Sequence, residues 1–235
     1  MVDLRRKGLV YYMNIFPDIK GVVDNWDMIE MGHLRINEYF GEKREAPPRG
    51  DPSTCTSVMI RGADFAGKPY ALIVDATLRL TPEQYDFDIN RRTGLHIRDI
   101  THCFVTHHHL DHYEALKYIP DVPWYAAPAV AQLIAAGARH VDGSLFIGVE
   151  GEFLPGVFAL PLPGHTDTLH GVAFRWRGKR ILVAGDSVMS KYHFDCETTD
   201  FQPDPLLNET AAQTIRNMKE SFDIVIPGHD NMIVV

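Results

Sequence analysis

Short apolar runs, separated by Gly, Pro and charged residues, recur along the chain after residue 53. Runs of about four to eight β-prone apolar residues with such boundaries are typical of β-strands. On this basis we predict strands at residues 57–61, 70–75, 102–106, 145–149, 171–177, 180–184 and 222–227. Gly178-Lys179 separates two of these segments and predicts a hairpin turn between them.

Other segments between the predicted strands carry the signals of helices. Thr81-Pro82-Glu83 is typical of a helix start, with Thr as the N-cap and Pro at the first helical position. Residues 111–118 predict a helix that starts directly after a strand, and the Ala-rich residues 128–136 predict another. A later segment repeats apolar residues at helical spacing and predicts one packing face, formed by Leu207, Ala211, Ile215, Met218 and Phe222.

The alternation of these segments predicts an α/β protein with two sheets and with helices outside them. The chain has 235 residues, of which 45% are hydrophobic and 23% are charged, and this composition is typical of a globular domain. We therefore predict one domain over residues 1–235. Residues 1–50 carry no clear pattern, and the Pro, Gly and charged residues at 41–53 predict a surface loop.

The charge and the cysteine content limit the partners and the location. A formal net charge of −8 argues against nucleic acids and anionic membranes as partners. No apolar stretch approaches the roughly 20 residues that span a bilayer. Cys55, Cys103 and Cys196 are odd in number and widely separated, which favours the reducing cytoplasm over an exported, disulfide-bonded protein. Cys103 lies in an apolar run and is predicted to be buried.

The chemically informative segment is Thr-His-His-His-Leu-Asp-His at residues 106–112, which holds four of the twelve histidines. His107 and His109 are two positions apart and would share one face of an extended segment, whereas His108 would point the other way. Asp111 and His112 follow where the chain is predicted to turn into a helix. Imidazole and carboxylate groups suit zinc, iron or manganese, so the segment predicts a metal site.

Further ligands are expected elsewhere, because one catalytic zinc ion with an open position needs fewer than four protein ligands. Three residues follow apolar runs in the same way, each directly after a glycine: His165 after Gly164, Asp186 after Gly185 and His229 after Gly228. The carboxyl ends of neighbouring strands meet at one edge of a sheet, so these side chains are expected to join the histidine-rich segment there.

In this order, the motifs at 106–112, 163–166, 185–186 and 227–230 resemble the metallo-β-lactamase-fold superfamily over roughly residues 57–235. The resemblance implies a four-layer αβ/βα sandwich with two metal ions at one edge. It implies that His107, His109 and His165 bind the first ion. It implies that Asp111, His112 and His229 bind the second, that Asp186 bridges the two, and that Asp75 supports the ligands from behind.

Residues 164–170, the helix at 206–221 and the closing Gly-His-Asp resemble N-acyl-homoserine-lactone lactonases. Glyoxalase-II-like hydrolases share the same ligands. The implied activity is hydrolysis of an ester, lactone or thioester of small-molecule size, through attack of a metal-bridging hydroxide. The expected cofactors are two Zn²⁺ ions, or alternatively Fe, Mn or a mixed pair. Asp111 is expected to transfer a proton to the leaving group, and Tyr192 to hydrogen-bond the substrate oxyanion.

Three alternatives stay open at this point. A glyoxalase-II-like thioesterase would use the same ligands, and a persulfide dioxygenase-like oxidoreductase would bind one iron through a subset of them. A binding protein that has lost activity is disfavoured, because all seven ligand positions carry competent residues. A homodimer is compatible with the resemblance, because related hydrolases often pair.

Overall fold

The computed structural model describes residues 13–33, 54–77, 81–137, 141–198 and 205–235. The predicted surface loop at 41–53 lies outside the described residues. Within residues 1–50, for which the sequence gives no clear pattern, the described part contains one strand, β1, at Asn25–Glu30.

Two six-stranded sheets form the centre of the described structure. The first has the order β1-β2-β3-β4-β5-β6, in which β1 to β3 are antiparallel and β3 to β6 are parallel. Its remaining strands are β2 (Ser57–Ala63), β3 (Pro69–Val74), β4 (His102–Val105), β5 (Trp124–Ala126) and β6 (Phe146–Gly148).

The second sheet has the order β12-β11-β10-β9-β8-β7. Its neighbours are antiparallel except for β10 and β11, which are parallel. The strands are β7 (Gly151–Leu154), β8 (Val157–Pro161), β9 (His170–Trp176), β10 (Lys179–Gly185), β11 (Ile224–Pro227) and β12 (Ile233–Val234).

Four α-helices are present among the described residues: α1 (Pro82–Thr93), α2 (Pro128–Gly137), α3 (Lys191–Cys196) and α4 (Pro205–Ser221). Helix α1 begins as predicted, because the Thr81 side chain accepts a hydrogen bond from the Gln84 N–H and Pro82 follows directly. It ends at Gly94, which adopts the left-handed conformation with φ of 74°. In the described part of the chain, no helix combines the length and hydrophobicity that crossing a membrane requires.

The core lies in three layers between these elements. The side chains of Val58 and Ile60 point between the two sheets, where Phe104 and Phe174 also pack. The alternate residue Met59 points to the other face of β2, into the cluster that also contains α1 and α2. A third cluster packs the second sheet against α4. Helix, sheet, sheet and helix therefore follow one another, which confirms the predicted αβ/βα sandwich.

Two local predictions are wrong. The hairpin between β9 and β10 turns at Arg177-Gly178 instead of Gly178-Lys179, since Lys179 already pairs with Trp176. Both turn residues have positive φ, 49° and 78°, as a two-residue turn that matches the strand twist requires.

The predicted helix at 111–118 is instead two short 3₁₀ turns, Leu110–His112 and Glu114–Tyr118. Tyr113 interrupts them with φ of −138°, outside the helical region. The change of direction at this residue separates the part of the segment that carries Asp111 and His112 from the part that packs on the first sheet.

Candidate metal centre

The structure brings all seven predicted ligands together at one edge of the sandwich. Ligand atoms of His107, His109, His165 and Asp186 lie within 4.8 Å of one another, and we refer to these four residues as group 1. Ligand atoms of Asp111, His112 and His229 meet the same limit, and we refer to these three residues as group 2.

The Asp186 carboxylate belongs to group 1 but also lies close to the histidines of group 2. Its Oδ2 atom is 3.7 Å from Nε2 of His107 and 3.4 Å from Nε2 of His165. Its Oδ1 atom is 3.2 Å from Nε2 of His112 and 3.2 Å from Nε2 of His229. Nε2 of His229 is also 3.3 Å from Oδ2. Oδ1 therefore faces the histidines of group 2, whereas Oδ2 lies between the histidines of group 1 and His229.

The strand ends explain why distant residues converge. Strands β3 and β4 run parallel in the first sheet, and β10 and β11 run parallel in the second. Their carboxyl ends release His107, Asp186 and His229 toward the same edge, because parallel strands present those ends together. His165 arrives from the loop between β8 and β9.

The His165 loop is held by contacts to its neighbours. Thr214 of α4 donates a hydrogen bond of 2.9 Å to the Pro163 carbonyl. Gly164 lies so close to α4 that an added Cβ would be 2.7 Å from Cα of Ala211. The small residue on the predicted face of α4 thus lets the helix approach the loop that carries a candidate ligand.

The histidine-rich segment differs in shape from the prediction. Strand β4 ends at Val105, and residues 106–108 form a bend instead of continuing extended. His107 is buried while His109 is exposed, yet their ring centroids are only 4.6 Å apart. The pair converges because the chain turns and not because the two side chains share a strand face. His108 is partly buried, with its ring 5.0 Å from the ring of His109.

The donor atoms fit a bound cation. Nε2 of His107, Nε2 of His112 and Oδ1 of Asp186 are buried, and none makes a well-aligned hydrogen bond to the described residues, although the last two atoms lie 3.2 Å apart. Each buried polar atom left in this way costs about 1–3 kcal/mol. Imidazole nitrogen and carboxylate oxygen are both good ligands of divalent transition metals, so coordination would satisfy the three atoms together.

In His112 and His229, the other ring nitrogen, Nδ1, makes a hydrogen bond. His112 donates through Nδ1 to Oδ2 of Asp75 at 2.8 Å, and Asp75 also accepts from the N–H and the hydroxyl of Thr106. His229 donates through Nδ1 to the Thr54 carbonyl at 2.9 Å. Such bonds fix the ring orientation and leave Nε2 facing the site. Asp75 therefore supports a candidate ligand from behind, as predicted.

Neither His170, at the start of β9, nor the predicted residue Tyr192 is among the seven clustered ligands. His170 donates through Nδ1 to the Thr168 carbonyl, and its backbone N–H bonds the Thr106 carbonyl. Tyr192 lies in the first turn of α3 and is exposed, with its ring 5.8 Å from the ring of His193. A catalytic role for Tyr192 stays a prediction.

A match to a protein-family model shows the family to which the chain belongs. A family model described as the metallo-beta-lactamase superfamily matches residues 50–229, which is more than half of the chain. The chain belongs to the metallo-beta-lactamase superfamily. Membership, together with the cluster of His and Asp side chains, supports a metal-dependent hydrolase that uses a divalent metal. No curated protein sequence matches the chain.

Several solved structures share the fold of this chain at low identity. A metallo-beta-lactamase candidate from Thermotoga maritima is 15% identical, with a TM-score of 0.64 over 90% of this chain and 99% of that one. A quorum-quenching N-acyl homoserine lactone lactonase is 18% identical, with a TM-score of 0.62 over 89% and 93%. An N-acyl homoserine lactone hydrolase is 16% identical, with a TM-score of 0.61 over 89% and 94%. These identities establish a common fold.

The pKa values of the histidines differ between group 1 and group 2. Burial lowers the pKa of His107 well below its usual value, lowers that of His109, and lowers that of His165 to about 4. In group 2, burial acts in the same direction on His112, but Cys55, Asp186 and Asp75 outweigh it and raise the pKa well above its usual value. The imidazoles of group 1 are therefore neutral near pH 7.

The charges of group 2 are coupled to the central carboxylate. Burial lowers the pKa of His229, but the Asp186 carboxylate outweighs it and raises the value. Burial raises the pKa of Asp186, but the imidazoles of His229 and His112 outweigh it and bring the value well below its usual range. Without a metal ion, the Asp186 carboxylate is thus charge-balanced mainly by the two histidines of group 2.

Sequence reasoning missed the part played by residues 54–56, which precede β2. The Thr54 carbonyl accepts a hydrogen bond from His229. Burial raises the pKa of the adjacent Cys55 thiol to about 11, although the neighbouring His112 imidazole lowers it. The only sequence signal was a pair of threonines flanking a cysteine directly before an apolar strand. That signal says nothing about partners that lie more than half the chain away.

The glycines of the motifs are needed for close approach. A Cβ on Gly228 would overlap Oδ1 of Asp186 and lie 3.0 Å from the Gly185 carbonyl carbon. Gly185 itself has φ of 53°, and its Cβ would be 2.7 Å from the Thr106 hydroxyl. The Asp186 carboxylate therefore occupies space that only glycine leaves open.

We expect Gly228→Ala to displace the Asp186 carboxylate and to reduce the divalent metal bound per chain by at least half. Metal content after dialysis would be measured by elemental analysis, with circular dichroism to confirm folding. Gly137→Ala is the control, because nothing lies within 4 Å of a Cβ added to Gly137 at the end of α2. A folded Gly228→Ala protein with wild-type metal content would contradict this explanation.

Proposed function

We propose that this protein is a dinuclear metal-dependent hydrolase of esters and lactones, similar in activity to N-acyl homoserine lactone lactonases. The observation that carries the proposal is the position of the Asp186 carboxylate, whose oxygens lie within 3.7 Å of His107 and His165 in group 1 and within 3.3 Å of His112 and His229 in group 2. A single ion would need only one of these groups. We propose zinc as the metal, one catalytic domain and a location in the cytoplasm.

Group 1 and group 2 would each hold one ion, with Asp186 shared between them. When bound, two such ions supply an activated water molecule and Lewis-acid stabilisation of charge on the substrate oxygen. The fully buried rings of His107 and His112 fix the inner side of the site and exclude bulk water there. The exposed His109 marks the side from which a substrate can enter.

We assign the proton transfer to Asp111. Its carboxylate is partly exposed and lies 3.6 Å from Nε2 of His229 through Oδ2. A carboxylate at the open side of the site can accept the proton of the attacking water and deliver it to the leaving oxygen. Tyr192, exposed at the start of α3, is proposed to donate its phenolic hydrogen to the substrate oxyanion.

An ester or lactone with an apolar acyl part is favoured by the residues that adjoin the ligands. Leu110 lies in the chain between His109 and Asp111 and is 51% exposed, and Met232 lies three positions after His229 and is 45% exposed. Their exposed apolar surface suits an uncharged acyl chain. The net charge of −8 disfavours polyanionic substrates. The hydrolase of similar fold mentioned above has the product N-hexanoyl-L-homoserine bound at its catalytic metal centre.

Activity on a substrate panel tests the proposal. The zinc-loaded protein is expected to hydrolyse N-hexanoyl-homoserine lactone and p-nitrophenyl acetate faster than the thioester S-lactoylglutathione. Asp186→Asn is expected to reduce kcat/KM by at least about 100-fold, because it removes the negative charge and replaces one oxygen of the carboxylate shared by the two groups with an amide nitrogen.

Asp195→Asn is the matched control, since Asp195 is an exposed aspartate of α3 whose carboxylate pairs with Lys191. Its activity is expected to equal that of the wild type. Equal kcat/KM values for the wild type and Asp186→Asn would contradict the proposal. Preferred turnover of S-lactoylglutathione would favour the thioesterase alternative, and one iron per chain without zinc would favour the dioxygenase.

Metal binding is expected to depend on pH differently in the two groups. The pKa values of His112 and His229 are raised, so lowering the pH protonates these rings first and removes their capacity to bind metal. The lowered pKa values of group 1 keep its rings neutral to lower pH. Metal titrations between about pH 8 and about pH 5 should show loss of one ion before the other. Loss of both ions in one step would contradict this order.

A further inference from the structure

Residues 54–56 form hydrogen bonds with three consecutive residues of the loop that carries His229. The Thr56 N–H donates a hydrogen bond of 2.6 Å to the Gly228 carbonyl. The Thr54 carbonyl accepts from Nδ1 of His229 at 2.9 Å. The Thr56 hydroxyl donates to the Asp230 carbonyl at 3.0 Å. The loop that follows β11 in the second sheet is thus tied to the start of β2 in the first sheet.

The Thr56 side chain is fixed from both sides. It is 1% exposed, and besides donating to Asp230 its hydroxyl accepts a hydrogen bond of 3.0 Å from the Gly32 N–H. A Cβ on Gly32 would lie 2.5 Å from the Thr56 nitrogen, so the chain after β1 packs directly against this segment. One hydroxyl therefore joins the end of β1 to the His229 loop.

The Thr54 carbonyl is held in place by the same arrangement. His33 and Thr54 form an antiparallel bridge, in which the His33 N–H donates to the Thr54 carbonyl at 2.8 Å and the Thr54 N–H donates back at 3.1 Å. The same Thr54 carbonyl accepts from His229. Its position is set by backbone pairing on one side and by the adjacent Thr56 bonds on the other.

This carbonyl determines which nitrogen of His229 carries the proton. A neutral imidazole has one N–H, and a carbonyl oxygen can only accept, so the bond requires hydrogen on Nδ1. The lone pair then resides on Nε2, which faces Asp186 at 3.2 Å and Asp111 at 3.6 Å. A shift of residues 54–56 away from the loop would free the ring to adopt the other tautomer, which cannot bind metal through Nε2.

We propose that Thr56 is a positioning residue for group 2, acting through the Thr54 carbonyl on the tautomer and orientation of His229. The inference rests on the proposed function in treating Asp111, His112 and His229 as one metal site. Its distinctive consequence is that loss of the Thr56 hydroxyl weakens the group 2 ion and leaves the group 1 ion in place.

The test compares Thr56→Val, which keeps the shape of the side chain but removes the hydroxyl, with Thr56→Ser, which keeps the hydroxyl. Thr101→Val is the control for the general effect of losing a threonine hydroxyl. Thr101 also bonds strand backbone, at Ala71, but it lies before β4, at the end of that strand remote from His107.

The first readout needs no metal. Long-range ¹H–¹⁵N NMR of the metal-free protein, at alkaline pH where the rings are neutral, reports the tautomer of each histidine. Wild type, Thr56→Ser and Thr101→Val should show His229 with hydrogen on Nδ1, and Thr56→Val should show a mixture. Hydrogen on Nε2 in the wild type would overturn the inference without any variant, so a Thr56→Val protein that fails to fold does not prevent the test.

The second readout is stepwise zinc titration followed by calorimetry. Thr56→Val should weaken the binding of one ion by about 10-fold or more and leave the other unchanged, and Thr56→Ser should behave as the wild type. Wild-type affinities in Thr56→Val, or an equal weakening of both ions that Thr101→Val also produces, would overturn the inference. A wild-type protein that binds one ion would contradict the proposed function, whereas the tautomer comparison would still decide the part played by Thr56.

Discussion

A buried carboxylate between two groups of imidazoles is the interaction on which the rest of the site depends. Asp186 is 3% exposed, and a charge in such a position is costly unless opposite charges or hydrogen-bond donors surround it. Here the compensation comes mainly from His112 and His229, each 3.2 Å from Oδ1, while the rings of His107 and His165 lie 3.7 and 3.4 Å from Oδ2. The geometry that balances the charge is also the geometry that two cations would share.

The sandwich supplies what this arrangement requires. Parallel strand ends bring ligands from both sheets to one edge, and Gly228 leaves the space that the Asp186 carboxylate fills. Behind the ligands, Asp75 holds His112 and the Thr54 carbonyl holds His229. Both orienting groups belong to the first sheet, and one of them holds His229, which follows β11 of the second sheet. The spacing of the two sheets and the spacing of the ligands are therefore set together.

Most of the candidate site could be predicted from the sequence because its signals are local. The His-x-His-x-Asp-His segment lies within seven consecutive positions, and His165, Asp186 and His229 each follow a glycine after an apolar run. Strands such as β2 and β10 were predictable for the same reason, since their residues are almost all buried and apolar. Short stretches of sequence are thus enough to predict the ligand positions and the strands that carry them.

What could not be predicted depends on distant partners or on weak local patterns. Strands β5 and β7 have only three and four residues and no alternation to identify them. The bend at 106–108 and the break at Tyr113 arise where the chain has to aim ligands, against its local preference. The bonds of residues 54–56 to residues 228–230 join positions more than 170 apart, which no local pattern can reveal.

A crystal structure of the zinc-loaded protein, with anomalous diffraction recorded at the zinc absorption edge, tests the central claim most directly. The account predicts two anomalous peaks per chain, about 3.5 to 4 Å apart, one beside each oxygen of the Asp186 carboxylate. A single peak, or two peaks with the Asp186 carboxylate turned away from both, would contradict it.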